Sequence, residues 1–118
     1  MMRLTILLLL AMATAASQAC AHALLERALP PVGSAITVPP RQIVLTFTEG
    51  VEPLFSTIEL RGPGGSVVAT SKPRSPPGSN RQLVIELPAL ARGEYTVIWH
   101  AASVDTHKTE GSYRFTIR

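Results

Sequence analysis

From residue 24 onward, the sequence alternates short stretches of period-two hydrophobicity with clusters of proline and glycine. Apolar side chains recur at every second position of these stretches, and β-branched and aromatic residues are common, a pattern typical of half-buried β-strands. About seven such strands, with turn signals at roughly 8–12-residue spacing, predict an all-β fold, a small antiparallel sandwich or barrel. The predicted strands are 24–29, 42–48, 55–61, 66–70, 81–87, 95–101 and 113–117, and a long, mobile Pro/Ser-rich loop is predicted at 71–80.

The first 21 residues have the features of a secretory signal peptide. A basic start at Arg3 precedes an apolar run over 4–16, which at about 13 residues is shorter than the ~18–20 needed to cross a bilayer. Ala19 and Ala21 are small residues at signal-peptidase spacing. We therefore expect a cleaved signal peptide over 1–21, one mature domain over 22–118 without a membrane span, and export to a bacterial periplasm. Cleavage after Ala23 and lipidation at Cys20 remain open as alternatives.

The distribution of sulfur and charge limits the kinds of functional site that residues 22–118 can form. The single Cys and all three Met lie within the first 20 residues. The mature domain would then lack disulfides, zinc ribbons, Fe–S clusters, cysteine nucleophiles and soft-metal sites. Removing Arg3 from the eleven Lys and Arg leaves ten, against eight Asp and Glu, for a net charge of +2. Because these charges form no basic cluster, we do not expect nucleic-acid binding.

Candidate metal ligands lie at the two ends of the mature domain. In an extended chain, Asp105 and His107 project to the same side, as a partial metal site, an acid–base pair or an ordinary surface pair. Cleavage after Ala21 would give His22 a free α-amine, which can chelate one metal ion together with its Nδ1. His107 would add a third nitrogen, forming a histidine brace, and such nitrogen and oxygen donors favour Cu(II). A frayed terminus without metal is the open alternative.

Five segments, in order and at matching spacing, carry a family resemblance. They are A-H-A-L at 21–24, L-P-P-V-G-S at 29–34, L-T-F-T-E-G-V-E at 45–52, G-E-Y-T-V-I-W at 93–99, and S-V-D-T-H at 103–107 followed by G-S-Y-R-F-T-I at 111–117. Together they resemble the CopC family of periplasmic copper-binding proteins, over nearly all of residues 22–118.

The resemblance implies a cupredoxin-like, Ig-like Greek-key β-sandwich that binds Cu(II) and is not an enzyme. By motif position, the ligands would be the amine and imidazole of His22, Asp105 and His107. Glu49 matches a family carboxylate near the site. It would contact a ligand without binding the metal, or act as an auxiliary ligand; that Glu49 is only a solvated side chain at the end of a strand is an equal alternative. The resemblance also implies a separate inner-membrane copper transport partner of the CopD type, and we expect a monomer.

The sequence departs from the family pattern in three places. Residues 64–80 contain neither Met nor His, so a Cu(I) site in this stretch is unsupported. Lys108 stands where proline commonly follows the ligand histidine, and a cation there could weaken metal binding or alter neighbouring pKa values. His100 stands where arginine is frequent, and we interpret it as a surface or core-edge residue. The aromatic residues Tyr95, Trp99, Tyr113 and Phe115 are expected in the core.

The favoured function is periplasmic Cu(II) binding, for copper sequestration or delivery in copper resistance or homeostasis. A small β-sandwich interaction module without metal is the first alternative, since a different cleavage site would remove the free amine of His22. A histidine-brace copper oxidase or monooxygenase is the second. The few aromatic residues and the oxygen of Asp105, which would occupy coordination space, count against it. No catalytic residue is predicted.

Overall fold

The computed structural model of the protein describes residues 22–118, which form two β-sheets. The predicted signal peptide over 1–21 lies outside the described residues. Two short 3-10 turns, Pro53–Phe55 and Pro63–Gly65, are the only helical segments within 22–118. Strands in this part of the chain are β1 (Leu25–Leu29), β2 (Ala35–Ile36), β3 (Gln42–Phe47), β4 (Thr57–Arg61), β5 (Val67–Val68), β6 (Gln82–Glu86), β7 (Gly93–Ala102) and β8 (Lys108–Ile117).

The two sheets pack as a β-sandwich. One has the strand order β1-β3-β6 and the other β2-β8-β7-β4-β5. Neighbouring strands are antiparallel except β2 and β8, which are parallel. Most connections between consecutive strands change sheet, as Greek-key connections do. The predicted all-β sandwich is therefore confirmed, with eight strands in residues 22–118 where about seven were expected.

Alternate positions of the strands fill the space between the sheets, as their period-two pattern predicts. Phe47 and Trp99 meet edge to face with ring centroids 5.3 Å apart, and Tyr95 stacks on Phe115 at 5.4 Å. Gly111 lies opposite Trp99 in the β7–β8 ladder. A Cβ atom at residue 111 would come within 2.6 Å of the Trp99 ring, so this position needs glycine. The aromatic core predicted from the sequence is confirmed.

The strands and loops differ most clearly from the prediction in four places. The two-residue strand β2 was not expected, and β8 begins at Lys108 where 113 was predicted. Phe55 ends a 3-10 turn and does not start β4. The expected mobile loop at 71–80 is partly ordered along β6, because Arg74 pairs with Val84 through two backbone hydrogen bonds of 3.0 and 2.8 Å. The Arg74 guanidinium also forms an ion pair with Glu86 at 2.6 Å.

Three parts of the chain meet at one end of the sandwich: the segment 22–24, the turn 48–52 after β3, and the loop 103–107 between β7 and β8. Val51 pairs with Ser103 in an isolated antiparallel bridge. The N–H of Glu52 donates to the carbonyl of Ala102 at 2.8 Å, which continues the same line of pairing. The start of the β7–β8 loop is therefore held by backbone pairing with the turn 48–52. Within residues 22–118, no helix is long and apolar enough to span a membrane.

Candidate metal centre

The loop 103–107 is organised around the buried side chain of Ser103, which is 2% exposed. Its hydroxyl is hydrogen-bonded to the Asp105 carboxylate and lies 3.1 Å from the carbonyl oxygen of His107. The N–H of His107 donates back to the same hydroxyl at 3.2 Å. Thr106 takes a left-handed conformation with φ of 77°, which turns the chain back within the loop. These contacts fix both predicted ligands of the loop relative to the end of β7.

Asp105 and His107 contact each other, although the left-handed Thr106 between them means that the segment is a turn and not the extended chain expected from the sequence. The Nδ1 atom of His107 lies 3.2 Å from Oδ1 of Asp105. Hydrogen bonds from Ser103 first and then from His107 lower the pKa of the Asp105 carboxyl below its ordinary value, against an opposing effect of desolvation. Asp105 is therefore a carboxylate at neutral pH. A proton on Nδ1 shared with this carboxylate leaves Nε2 of His107 free to bind a metal.

The N-terminal segment is held by its backbone. The side chain of Ala23 is fully buried in the core. The hydroxyl of Thr109, on β8, donates to the carbonyl of Ala23 at 2.7 Å. On the other side, the hydroxyl of Thr48 accepts from the N–H of Leu24 at 3.0 Å and donates to the carbonyl of His22 at 3.4 Å. His22 is half-buried at the start of this anchored segment.

The structure brings together the two predicted histidine ligands, which lie near opposite ends of the sequence 22–118. The imidazole centroids of His22 and His107 are 4.7 Å apart, with ring planes inclined by 46°. Asp105 contacts His107, so two imidazoles and one carboxylate lie at this end. Within residues 22–118, no group of three or more His, Cys, Asp or Glu side chains is arranged to hold a metal ion by itself. A metal ion bound here would need a further donor atom that does not belong to a side chain.

The other candidate residues, Glu49, His100 and Lys108, make no side-chain hydrogen bond or ion pair with either imidazole within residues 22–118. Glu49 is exposed in the turn after β3, and no hydrogen bond or ion pair joins its carboxylate to residues 22–118. His100 is on the outer face of the five-stranded sheet, with Nε2 3.3 Å from Glu110 and Nδ1 3.4 Å from Thr57. It is a surface residue, as interpreted from the sequence. Lys108 shares the outer face of β8 with Glu110, so strand alternation directs it away from the face where Thr109 contacts Ala23.

The sequence analysis missed four residues whose contacts hold the segments that carry the candidate ligands: Ala23, Thr48, Ser103 and Thr109. Ser103 belongs to the S-x-D-x-H motif, so its place beside Asp105 and His107 was a usable signal. The two threonines carry no signal, because threonine is common in strands and their partners are distant in sequence.

Comparison with known proteins identifies the family of the chain and supports its fold. A family model described as the CopC domain matches residues 25–118. Protein YobA of Escherichia coli (strain K12) is 38% identical over 99 residues, covering 83% of this chain and 80% of YobA.

Two solved structures are similar in fold and sequence. The crystal structure of CopC from Methylosinus trichosporium OB3b has a TM-score of 0.77 at 32% identity and covers 81% of this chain and 93% of that one. PcoC, a methionine-rich copper resistance protein from Escherichia coli, has a TM-score of 0.73 at 34% identity, with 83% and 100% covered. The chain belongs to the CopC domain family.

Proposed function

We propose that residues 22–118 are the mature form of a periplasmic Cu(II)-binding protein. The observation that carries this proposal is the 4.7 Å approach of the His22 and His107 rings. Cleavage of a signal peptide after Ala21 would convert the amide nitrogen of His22 into a free amine, which is the donor that the side chains alone lack. The neighbour PcoC, a copper resistance protein of similar fold, supports copper as the metal.

The proposed site has three nitrogens and one oxygen. His22 would bind through its amine and its imidazole, and His107 through Nε2, since its Nδ1 faces Asp105 at 3.2 Å. Asp105 would be the oxygen ligand; since Nδ1 and Nε2 lie on opposite sides of the imidazole, its carboxylate would turn from Nδ1 of His107 to the metal on binding. Nitrogen and oxygen donors favour Cu(II), and residues 22–118 contain no sulfur atom that would favour Cu(I). Because no hydrogen bond or ion pair joins the Glu49 carboxylate to either imidazole, we assign Glu49 a place beside the site and not among the ligands.

Isothermal titration and electron paramagnetic resonance of the protein beginning at His22 test this site. We expect one tight Cu(II) site with nitrogen ligands. An alanine added before His22 removes the free amine at that residue, and His107→Ala removes an imidazole, so each should weaken binding strongly. His100→Ala is the matched control, because it removes an exposed imidazole on the outer face. Indifference of Cu(II) affinity to both the added residue and the loss of His107 would overturn the proposal.

The proposed biological role is copper sequestration, or delivery to a separate inner-membrane transport protein of the CopD type. Mass spectrometry of the protein from a periplasmic fraction tests the first requirement, a mature chain that begins at His22. A chain that begins at Leu24, or one lipidated at Cys20, would lack the free amine of His22 and would contradict the proposed site.

A further inference from the structure

The segment 22–24 bridges the two sheets, and all three of its carbonyl groups accept hydrogen bonds. Two come from Thr48 at the end of β3: its hydroxyl donates to His22 at 3.4 Å and its N–H donates to Leu24 at 2.9 Å. The third comes from the hydroxyl of Thr109 on β8, which donates to Ala23 at 2.7 Å. Thr48 belongs to the side of the three-stranded sheet and Thr109 to the five-stranded sheet. The first residues of the mature chain are therefore held from both sides.

This anchoring is unusual for a chain terminus, because the first few residues of a domain are poorly ordered unless contacts hold them. The buried methyl group of Ala23 fixes the segment against the core. The hydrogen bond from Thr109 connects the residue after His22 to a residue two positions beyond His107. It thus ties together the two segments of chain that carry the imidazoles.

We propose that Thr48 and Thr109, the threonine pair, are positioning residues for Cu(II) binding. This inference rests on the proposed function of the site. The threonine pair holds the amine and imidazole of His22 beside His107 before the metal arrives. Metal binding then does not have to order the residues around His22. Because the free-energy cost of that ordering is avoided, the preorganised site binds the metal more tightly. Neither threonine contacts the metal in this proposal.

Thr109→Val tests the inference, because valine keeps the shape of threonine and removes the hydroxyl. In the protein beginning at His22, we expect Cu(II) affinity to fall about tenfold, the size of effect that loss of a hydrogen bond to a buried partner produces. The weakening should appear as faster copper release. Thr109→Ser restores a hydroxyl and should restore affinity. Thr116→Val is the matched control, since Thr116 is on the same strand but faces outward.

Two readouts separate positioning from a general loss of stability. Affinities are compared at a temperature where circular dichroism shows every variant folded, so a purely structural role would leave them unchanged. In the metal-free protein, amide hydrogen exchange at Leu24 should become faster in Thr109→Val and stay unchanged in Thr116→Val.

The outcomes distinguish this inference from the proposed function. If the unaltered protein binds Cu(II) tightly and Thr109→Val binds equally well, the positioning role is overturned and the copper site stands. If the unaltered protein does not bind Cu(II), the proposed function fails. In that case unchanged exchange at Leu24 in Thr109→Val would overturn the anchoring role as well.

Discussion

The two histidines of the candidate site reach the same place by different means. His107 is held by contacts within its own loop, since Ser103 and Asp105 are four and two residues away in sequence. The segment that carries His22 is held by Thr48, 26 residues from His22, and by Thr109, 86 residues from Ala23. The hydrogen bonds of His107 itself are therefore local, although the base of its loop also pairs with the turn 48–52. The other half of the site exists only when both sheets are packed.

This difference predicts where the site is vulnerable. The loop 103–107 closes the β7–β8 hairpin, and the hydrogen bonds of Ser103 to Asp105 and His107 can form as soon as that hairpin does. The anchoring of residues 22–24 needs the end of β3, the start of β8 and the core around Ala23 at once. Disturbance of tertiary packing at this end should thus displace His22 before it displaces His107.

Ala23→Asp should have the largest effect, because it places a charged group where a methyl is fully buried. We expect residues 22–24 to detach and Cu(II) affinity to fall by about a hundredfold or more, since the two donors of His22 are no longer held near His107. The loop with His107 should keep its structure. Titration with Cu(II) and the NMR shifts of 103–107 measure the two halves separately.

Ala89→Asp is the control for this substitution, because Ala89 is exposed in the segment between β6 and β7. It should leave Cu(II) affinity unchanged. A folded Ala23→Asp protein with the affinity of the unaltered chain would show that the anchoring of residue 23 does not matter to the site.

The same contrast explains what the sequence could and could not predict. Asp105 and His107 were found because an i, i+2 pair in extended chain is a local pattern. The strands were found because period-two hydrophobicity is local as well, and the missed strand β2 is too short, at two residues, to show a period. Thr48 and Thr109 were missed because their role depends on a partner brought close only by the packed fold.

His22 is an intermediate case. Its chemistry followed from the expected cleavage site, a local signal, but nothing in the sequence indicated how its segment would be held beside His107. The direction of the Lys108 side chain could not be predicted, because β8 was expected to start at 113. Once 108 is within the strand, alternation directs its side chain to the outer face.

Ser103→Ala tests the locally encoded half. The hydroxyl is buried and hydrogen-bonded to both Asp105 and His107, so its loss should lower the free energy of unfolding by about 1–3 kcal/mol. Cu(II) affinity should fall about tenfold, as is typical when an outer partner of a metal ligand is removed. Ser112→Ala, at an exposed position of β8, is the control. Lower stability with unchanged affinity would show that Ser103 does not position the ligands.

The pKa of Asp105 should show whether the part of the site around His107 is independent of the part around His22. Ser103 is the main cause of its lowering, so Ser103→Ala should raise this pKa toward its ordinary value in the metal-free protein. Thr109→Val should leave it unchanged, because Thr109 acts on the other half. Carbon NMR of the Asp105 carboxyl during an acid titration measures both. An equal rise in the two variants would mean that the halves are not independent.

Glu86→Gln should have the smallest effect, and it checks that distant ion pairs do not reach the site. The hydrogen bond from Arg74 is the main cause that lowers the pKa of Glu86, and Gln42 contributes to the same lowering. The ionised carboxylate therefore stabilises the folded chain above its ordinary pKa, and this contribution is lost as the pH falls through the lowered value. Unfolding curves should show the variant slightly less stable than the unaltered protein at neutral pH, with the difference vanishing in acid.

Because Glu86 ends β6 at the opposite end of the sandwich from His22 and His107, Cu(II) affinity should not change in Glu86→Gln. A measurable loss of affinity in Glu86→Gln would show that the candidate site depends on the whole three-stranded sheet and not on the threonine pair and the β7–β8 loop alone.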